Sequence, residues 1–292
     1  MDAVVNLNGE LGRPDQMKVS VFDRGFLFGD GVYETGTAYD RCPLFMDEHL
    51  TRLRSSARKL AIPVPWSDAE ITQRLHDTCK AYGKNELYFR IVITRGVVAE
   101  LSLEKLEGLT PTLMIVANGL DTKHYEKLRC EGVSLLTSTI VRNSAMAQDP
   151  NIKTSNYLNS LLALQDVRRR GGDDAVLCNA KNNVAEGTTF SIFGVMPSGL
   201  LVTPSLEVGI LDSITRRHVI KLARPTRDVQ ESHIPLDEFK KASEVFIASS
   251  VREIVPVVKW DDHKYTYGTV TAELQKALRT EIGYYTESHP KY

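Results

Sequence analysis

Cysteine is scarce, with Cys42, Cys79, Cys130 and Cys178 standing far apart in 292 residues. They form neither a metal-type nor a redox-type pair, so no metal site and no disulfide framework are expected. Reduced thiols in a cytoplasmic protein are the economical reading. Excess charge of either sign is missing too: 36 Lys and Arg face 37 Asp and Glu. Acids and bases are mixed along the chain, which argues against a general binder of nucleic acid or of anionic membranes. No apolar run approaches the length of a transmembrane helix. The stretch Met1-Asp2-Ala3-Val4-Val5-Asn6 has no basic segment leading into an apolar one, so no signal peptide is expected. Internal repeats and low-complexity segments are also lacking. What is present is ordinary for a soluble globular chain: 42% hydrophobic, 25% charged and 8% aromatic residues. The length suffices for one large or two medium domains.

Residues 3–8 and 17–22 read as short strands around the turn Gly9–Pro14. In Asp23–Glu34, three glycines interleave with aromatics, which suggests a loop that turns tightly or approaches another group closely. Strands follow over 35–39 and 43–46. A helix begins near Asp47, with Leu50, Leu53, Ala57 and Leu60 at helical spacing as its core side. Ser67–Tyr82 reads as a second helix, opened by a Ser67/Glu70 capping box and stopped at Gly83. Leu87–Gly96, rich in aromatic and β-branched types, is a strand, and 112–117 is another. Residues 118–127 lack periodicity and read as a connection. Further strands are expected at 133–138, 174–178, 191–195 and 200–203. Gly209–Arg217 opens a helix with Asp212 or Ser213 as its N-cap, and a strand and turn follow at 244–257. An amphipathic helix spans roughly 270–282.

Two residues carry candidate chemistry. Lys153 sits in a short polar segment ahead of the helix-like apolar run Tyr157, Leu158, Leu161, Leu162 and Leu164. Glu186 follows a strand and the turn Lys181-Asn182-Asn183. A Lys amine that loses its proton forms Schiff bases with carbonyls, and a carboxylate facing a pyridine nitrogen keeps that ring protonated as an electron sink. A lone Lys is more often a solvated surface charge, and a lone Arg such as Arg52 or Arg90 is more often a surface or paired residue.

The motifs in order decide between these readings. Lys153-Thr-Ser-Asn-Tyr-Leu-Asn, Glu186-Gly-Thr-Thr-x-x-Ile-Phe and Leu211-Asp-Ser-Ile-Thr-Arg together resemble the class IV, fold type IV aminotransferases. That family contains branched-chain aminotransferases, D-amino-acid aminotransferases and aminodeoxychorismate lyases. The resemblance implies an α+β, two-domain fold type IV enzyme. Its small N-terminal α/β domain is expected over 1–117, a connection over 118–130, and a larger, mixed β-barrel-like domain over 131–292. It also implies pyridoxal 5'-phosphate as cofactor, an amino acid and a 2-oxo acid as substrates, and a homodimer. Carried over residue by residue, Lys153 is the catalytic amine and Glu186 the pyridine-nitrogen partner. Arg52, Ile214, Thr215 and Ser250 hold the phosphate, and Tyr157 bonds the ring oxygen. Tyr33, Tyr88, Arg90, Val251 and Arg252 fall on the substrate side, with Arg90 the choice for the substrate carboxylate.

Three departures mark this chain. Ser191 replaces an amide of the Glu186 motif, and Arg252 stands where relatives place a small residue. After Gly96, the Arg and His that trap the carboxylate in D-amino-acid enzymes are missing. Likeness in Asp23–Glu34 and Thr94-Arg95-Gly96 leans toward the D-amino-acid enzymes, whereas Tyr88-x-Arg90 and Tyr157 follow the branched-chain pattern. Transamination is therefore expected, leaning to D-amino acids. The alternatives are a branched-chain L-amino-acid aminotransferase and a lyase of the aminodeoxychorismate type.

Overall fold

The computed structural model describes residues 2–104, 106 and 108–292. The chain divides into two units. The first comprises Met1–Leu120, Ile152–Asn156 and Ile282–Tyr292. Its sheet contains β1 (Ala3–Leu7), β2 (Glu10–Gly12), β3 (Gly31–Tyr39), β4 (Cys42–Pro43), β5 (Leu87–Thr94) and β6 (Thr112–Gly119). The order is β2-β1-β6-β5-β3-β4, with every neighbouring pair antiparallel. A short helix, α1 (Arg24–Phe28), precedes β3, and α2 (Met46–Lys59) and α3 (Asp68–Tyr82) follow β4.

Alternation along β5 sets the two faces of this sheet. Leu87, Phe89, Ile91 and Ile93 are fully buried and join one core with Leu50, Leu53 and Ala57 of α2 and with Ile71, Leu75 and Cys79 of α3. Tyr88 and Arg90 point to the opposite face. Register pairs Thr35 with Arg90 and Val92 with Tyr33, so Tyr33 shares the Arg90 face while Glu34 turns toward the helices. Helix α3 begins as its sequence predicts. Ser67 Oγ accepts from the Glu70 N–H, the Glu70 carboxylate accepts from the Ser67 N–H, and Gly83 ends the helix with φ +79°.

The second unit comprises Asp121–Asn151 and Tyr157–Glu281. Its strands are β7 (Val133–Thr137), β8 (Asp174–Cys178), β9 (Val184–Gly187), β10 (Ser191–Val195), β11 (Leu201–Pro204), β12 (Val229–Ser232), β13 (Glu244–Ser249), β14 (Glu253–Trp260) and β15 (His263–Lys264). They form one mixed sheet in the order β12-β11-β10-β13-β14-β7-β8-β9, with β15 paired to β14. β9, at one end of that order, packs beside β10 and β11, so the sheet curls on itself. Ile192, Ile247, Val255, Val257, Phe239 and Trp260 fill its main core. The helices are α4 (Thr122–Glu131), α5 (Leu158–Arg169), α6 (Ile214–Ala223), α7 (Leu236–Phe239) and α8 (Thr269–Ser288), the last ending in the first unit.

Several expectations are corrected. Residues 17–22 form no strand, because β1 already pairs with β2 on one side and β6 on the other. The glycine-rich Asp23–Glu34 segment turns tightly around a short helix. Asp23 caps α1, Gly29 ends it at φ +67°, and β3 begins at Gly31. The 118–130 stretch is ordered rather than aperiodic: it holds the end of β6, the passage from the first unit to the second after Leu120, and most of α4, whose N-cap is Asp121. The units are also not consecutive: 152–156 belongs with the first, for reasons given below. The helix-like run at 157–164 is α5, on which Ala163 and Val167 are buried and Leu164 packs beside them, whereas Leu158, Leu161 and Leu162 are exposed. No helix among the described residues is long and apolar enough to cross a membrane.

Candidate functional site

In the first unit the site is built on the polar face of the sheet and the adjoining end of α2. The segment around Lys153 docks there through its backbone. The Tyr33 N–H donates to the Lys153 carbonyl at 2.9 Å, and Thr154 bridges Val32. The Lys153 N–H donates to Ser56 Oγ of α2 at 3.1 Å, and Ile152 packs against the first core. Lys153 Nζ then lies 4.5 Å from the Tyr33 ring centroid, and the Arg90 guanidinium lies 3.9 Å from the same centroid. The Lys153 amine and the Arg90 guanidinium thus both lie against the Tyr33 ring. Tyr88, on the Arg90 side of β5, accepts at its phenol from Asn118 at 3.0 Å.

Beneath this face lies an ionic cluster that sequence reading did not single out. Glu34 is fully buried and receives Arg52 in bidentate fashion, with Nε on Oε1 and Nη2 on Oε2, each at 2.7 Å. His49 Nδ1 donates to Oε2 at 2.7 Å. Burial by itself raises the Glu34 carboxyl, but the Arg52 charge and hydrogen bonds from Arg52 and His49 outweigh it and hold Glu34 at about 2. Burial pushes His49 below its ordinary value against the pull of Glu34, so it is neutral near pH 7. The His49/Arg52 spacing on α2 was visible in the sequence, but the anion joining them comes from β3.

The second unit carries the carboxylate and the helix start. Glu186, near the end of β9, accepts from Arg142 Nη2 at 2.7 Å on one oxygen and from the Leu211 N–H at 3.1 Å on the other. Arg142 was not singled out from the sequence, where it lies in an aperiodic stretch, 44 residues before its partner. Helix α6 starts at Ile214 with Ser213, not Asp212, as its N-cap; Ser213 Oγ accepts from the Arg216 N–H at 3.3 Å. Asp212 instead pairs with Arg217 at 2.9 Å. Ile214 and Thr215 are buried in the first turn, where free N–H groups and the helix dipole favour an anion. Tyr157 precedes α5. Ser250, Val251 and Arg252 form the loop between β13 and β14, and Arg252 Nη2 donates to Asp174 at 2.8 Å.

Each unit by itself carries groups of the kind pyridoxal phosphate uses: an amine at Lys153 in the first, and in the second a carboxylate fixed at Glu186 and a phosphate-type helix start at α6. None of the His, Cys, Asp and Glu side chains among the described residues cluster as a metal site would require.

The fold and the family match below make this a pyridoxal-phosphate-dependent transferase of amino groups. The chain belongs to the family described as amino-transferase class IV, whose profile matches residues 31–260. It is 35% identical over 286 residues to a Methanocaldococcus jannaschii protein named "Putative branched-chain-amino-acid aminotransferase", covering 96% of this chain and 97% of that one. It is 29% identical to a D-alanine aminotransferase of Bacillus licheniformis, covering 95% and 96% respectively. Among solved structures, the branched-chain aminotransferase of Thermoproteus uzoniensis with norvaline superposes with a TM-score of 0.88 at 30% identity, covering 96% of this chain and 94% of that one. The fold is that of fold type IV enzymes, as the sequence resemblance implied.

Proposed function

We propose that the protein transaminates branched-chain L-amino acids with a 2-oxo acid as acceptor. The observation that carries this reading is the pairing of Lys153 with Arg90 over Tyr33, on a strand that presents the Tyr88-x-Arg90 pattern of branched-chain enzymes. The lean toward D-amino-acid enzymes rests partly on Thr94-Arg95-Gly96, and of these Arg95 and Gly96 do scaffold work. Arg95 is 5% exposed and donates to Asp30 and to the carbonyls of Leu60 and Ala61. Gly96 has φ +101°, and a Cβ there would meet the Thr110 carbonyl oxygen at 1.9 Å. Such positions say little about substrate handedness. The M. jannaschii and T. uzoniensis proteins add support.

Bound pyridoxal phosphate supplies the electron sink that accepts charge when the substrate Cα loses its proton. In this reading Lys153 holds the cofactor and moves the proton at Cα, first as base and then as acid. Glu186, kept in place by Arg142 and the Leu211 N–H, holds a proton on the ring nitrogen. Arg52, Ile214, Thr215 and Ser250 hold the phosphate, with Glu34 orienting Arg52, and Tyr157 bonds the ring oxygen. Arg90 binds the substrate carboxylate, and Tyr33, Tyr88 and the Val251 N–H line the substrate side. We further propose a homodimer, supported by the exposed Leu158, Leu161 and Leu162 on α5. A cytoplasmic setting is supported by four free cysteines.

Steady-state kinetics test the substrate assignment. L-leucine should exceed D-alanine in kcat/KM by about 100-fold or more, and Lys153→Ala should abolish turnover. Preference for D-alanine would favour the second reading, a D-alanine aminotransferase like the B. licheniformis relative. Normal turnover by Lys153→Ala would overturn both.

A further inference from the structure

Arg252, in the loop between β13 and β14, has a buried partner. Asp174 opens β8 and is 4% exposed. Its Oδ1 accepts from the Thr188 hydroxyl at 2.6 Å and from the Ala175 N–H at 2.8 Å. Its Oδ2 accepts from Arg252 Nη2 at 2.8 Å, and the Arg252 guanidinium also lies 5.6 Å from the Phe190 centroid. The Arg252 N–H donates to Ser249 Oγ at 3.3 Å, closing the loop on itself.

One carboxylate therefore ties two turns together. The first, 188–190, directly follows the Glu186 strand. The second carries Ser250 and Val251 and is followed by Glu253, a non-glycine residue at φ +59°. Glu253 is itself anchored by Arg129 at 3.5 Å and Arg279 at 2.5 Å. A solvated arginine on a hairpin loop would contribute little. Here the Asp174 side chain is 6% exposed and that of Arg252 is 23% exposed. Removing one member strands a shielded charge, and the loop loses its tie to β8.

We propose that Arg252 is a positioning residue. Through Asp174 and Thr188 it holds the 250–252 loop in register with the Glu186 turn, so that the Val251 N–H meets the amino-acid substrate at a fixed place. The inference rests on the reading that Val251 faces the substrate, and the test separates the two.

Holoenzymes of the wild type, Arg252→Ala, Arg252→Lys, Asp174→Asn and the Ala/Asn double variant are compared by amide hydrogen exchange over 249–253. KM and kcat for L-leucine are measured alongside. Arg252→Ala and Asp174→Asn should each accelerate exchange of the loop amides. Each should raise KM about tenfold, well beyond any fall in kcat, because misplacing a binding group is costly even at a distance from the chemistry. The double variant should be no worse than either single one, and Arg252→Lys should recover most of the loss. Unchanged exchange in both single variants refutes the tie. Faster exchange with unchanged KM overturns the substrate-facing reading of Val251, and the positioning role with it. If Asp174→Asn fails to fold, Thr188→Val, which removes one hydroxyl and leaves the ion pair, should give a smaller effect of the same sign. No effect from Thr188→Val together with none from Arg252→Ala counts against the proposal.

Discussion

Replacing Glu34 by Gln removes the anion that holds both Arg52 and His49 while keeping nearly the same volume. The Glu34 side chain is 0% exposed, that of His49 2% and that of Arg52 10%. Deleting one partner of a buried ion pair costs about 3–5 kcal/mol, because the remaining charge stays buried without its counter-ion. The titration of Glu34 gives a second route to the magnitude. Its carboxyl falls from an ordinary 4.5 to about 2 on folding, which corresponds to about 3 kcal/mol of stability at neutral pH. The sign follows from the depressed value. The folded state binds fewer protons than the unfolded chain, so this stability is fully present above about pH 4.5 and is lost as pH falls through about 2. His49, pushed down by burial, also withdraws stability as pH falls through its ordinary range. Urea unfolding of the wild type and Glu34→Gln at pH 7 should differ by about 3 kcal/mol, and the gap should narrow on acidification toward pH 3. On the proposed role of Arg52 at the phosphate, the variant should also release cofactor more readily, since Arg52 is no longer oriented. A gap under about 1 kcal/mol at pH 7, as for an exposed pair, or a gap that widens in acid, would refute the reasoning.

Other outcomes follow from the same structure. If Glu186 faces the ring nitrogen as proposed, Glu186→Gln removes the carboxylate that keeps it protonated, and kcat should fall roughly 100- to 1000-fold with the fold intact; kinetics together with circular dichroism check this. Ser67→Ala breaks the capping box of α3 and should cost about 1 kcal/mol in denaturant unfolding without changing kcat. Burial pushes Cys79 to about 12 and Cys178 to about 11 and raises Cys42, while Cys130 is exposed. An aromatic disulfide reagent at pH 8 should therefore label one thiol in the native protein and four in urea.

Local signals read well from the sequence. The Ser67/Glu70 box, the Gly83 stop and the core side of α2 each depend on a few adjacent residues, and the structure has them where expected. The alternation in β5 separates Phe89 and Ile91 from Tyr88 and Arg90 in the same way. Readings that depended on distant partners fared worse. Nothing near Val19 and Val21 states that β1 has already been paired on both sides. Lys153 docks in the first unit because of Tyr33 and Ser56, 120 and 97 residues earlier, so no linear domain boundary captures it. Arg142, Asp174 and Glu34 acquire their roles only when strands bring them to Glu186, Arg252 and Arg52. The exposed leucines of α5 satisfy helical periodicity as well as buried ones would, because periodicity reports an apolar face and not what covers it.

The most direct measurement is borohydride trapping followed by peptide mass spectrometry. The holoenzyme is reduced as purified, after incubation with L-leucine, and after incubation with D-alanine. The account predicts a phosphopyridoxyl label on Lys153 in the untreated protein, its loss after L-leucine, and its retention after D-alanine. A label on a different lysine, or loss of the Lys153 label with D-alanine alone, would contradict it.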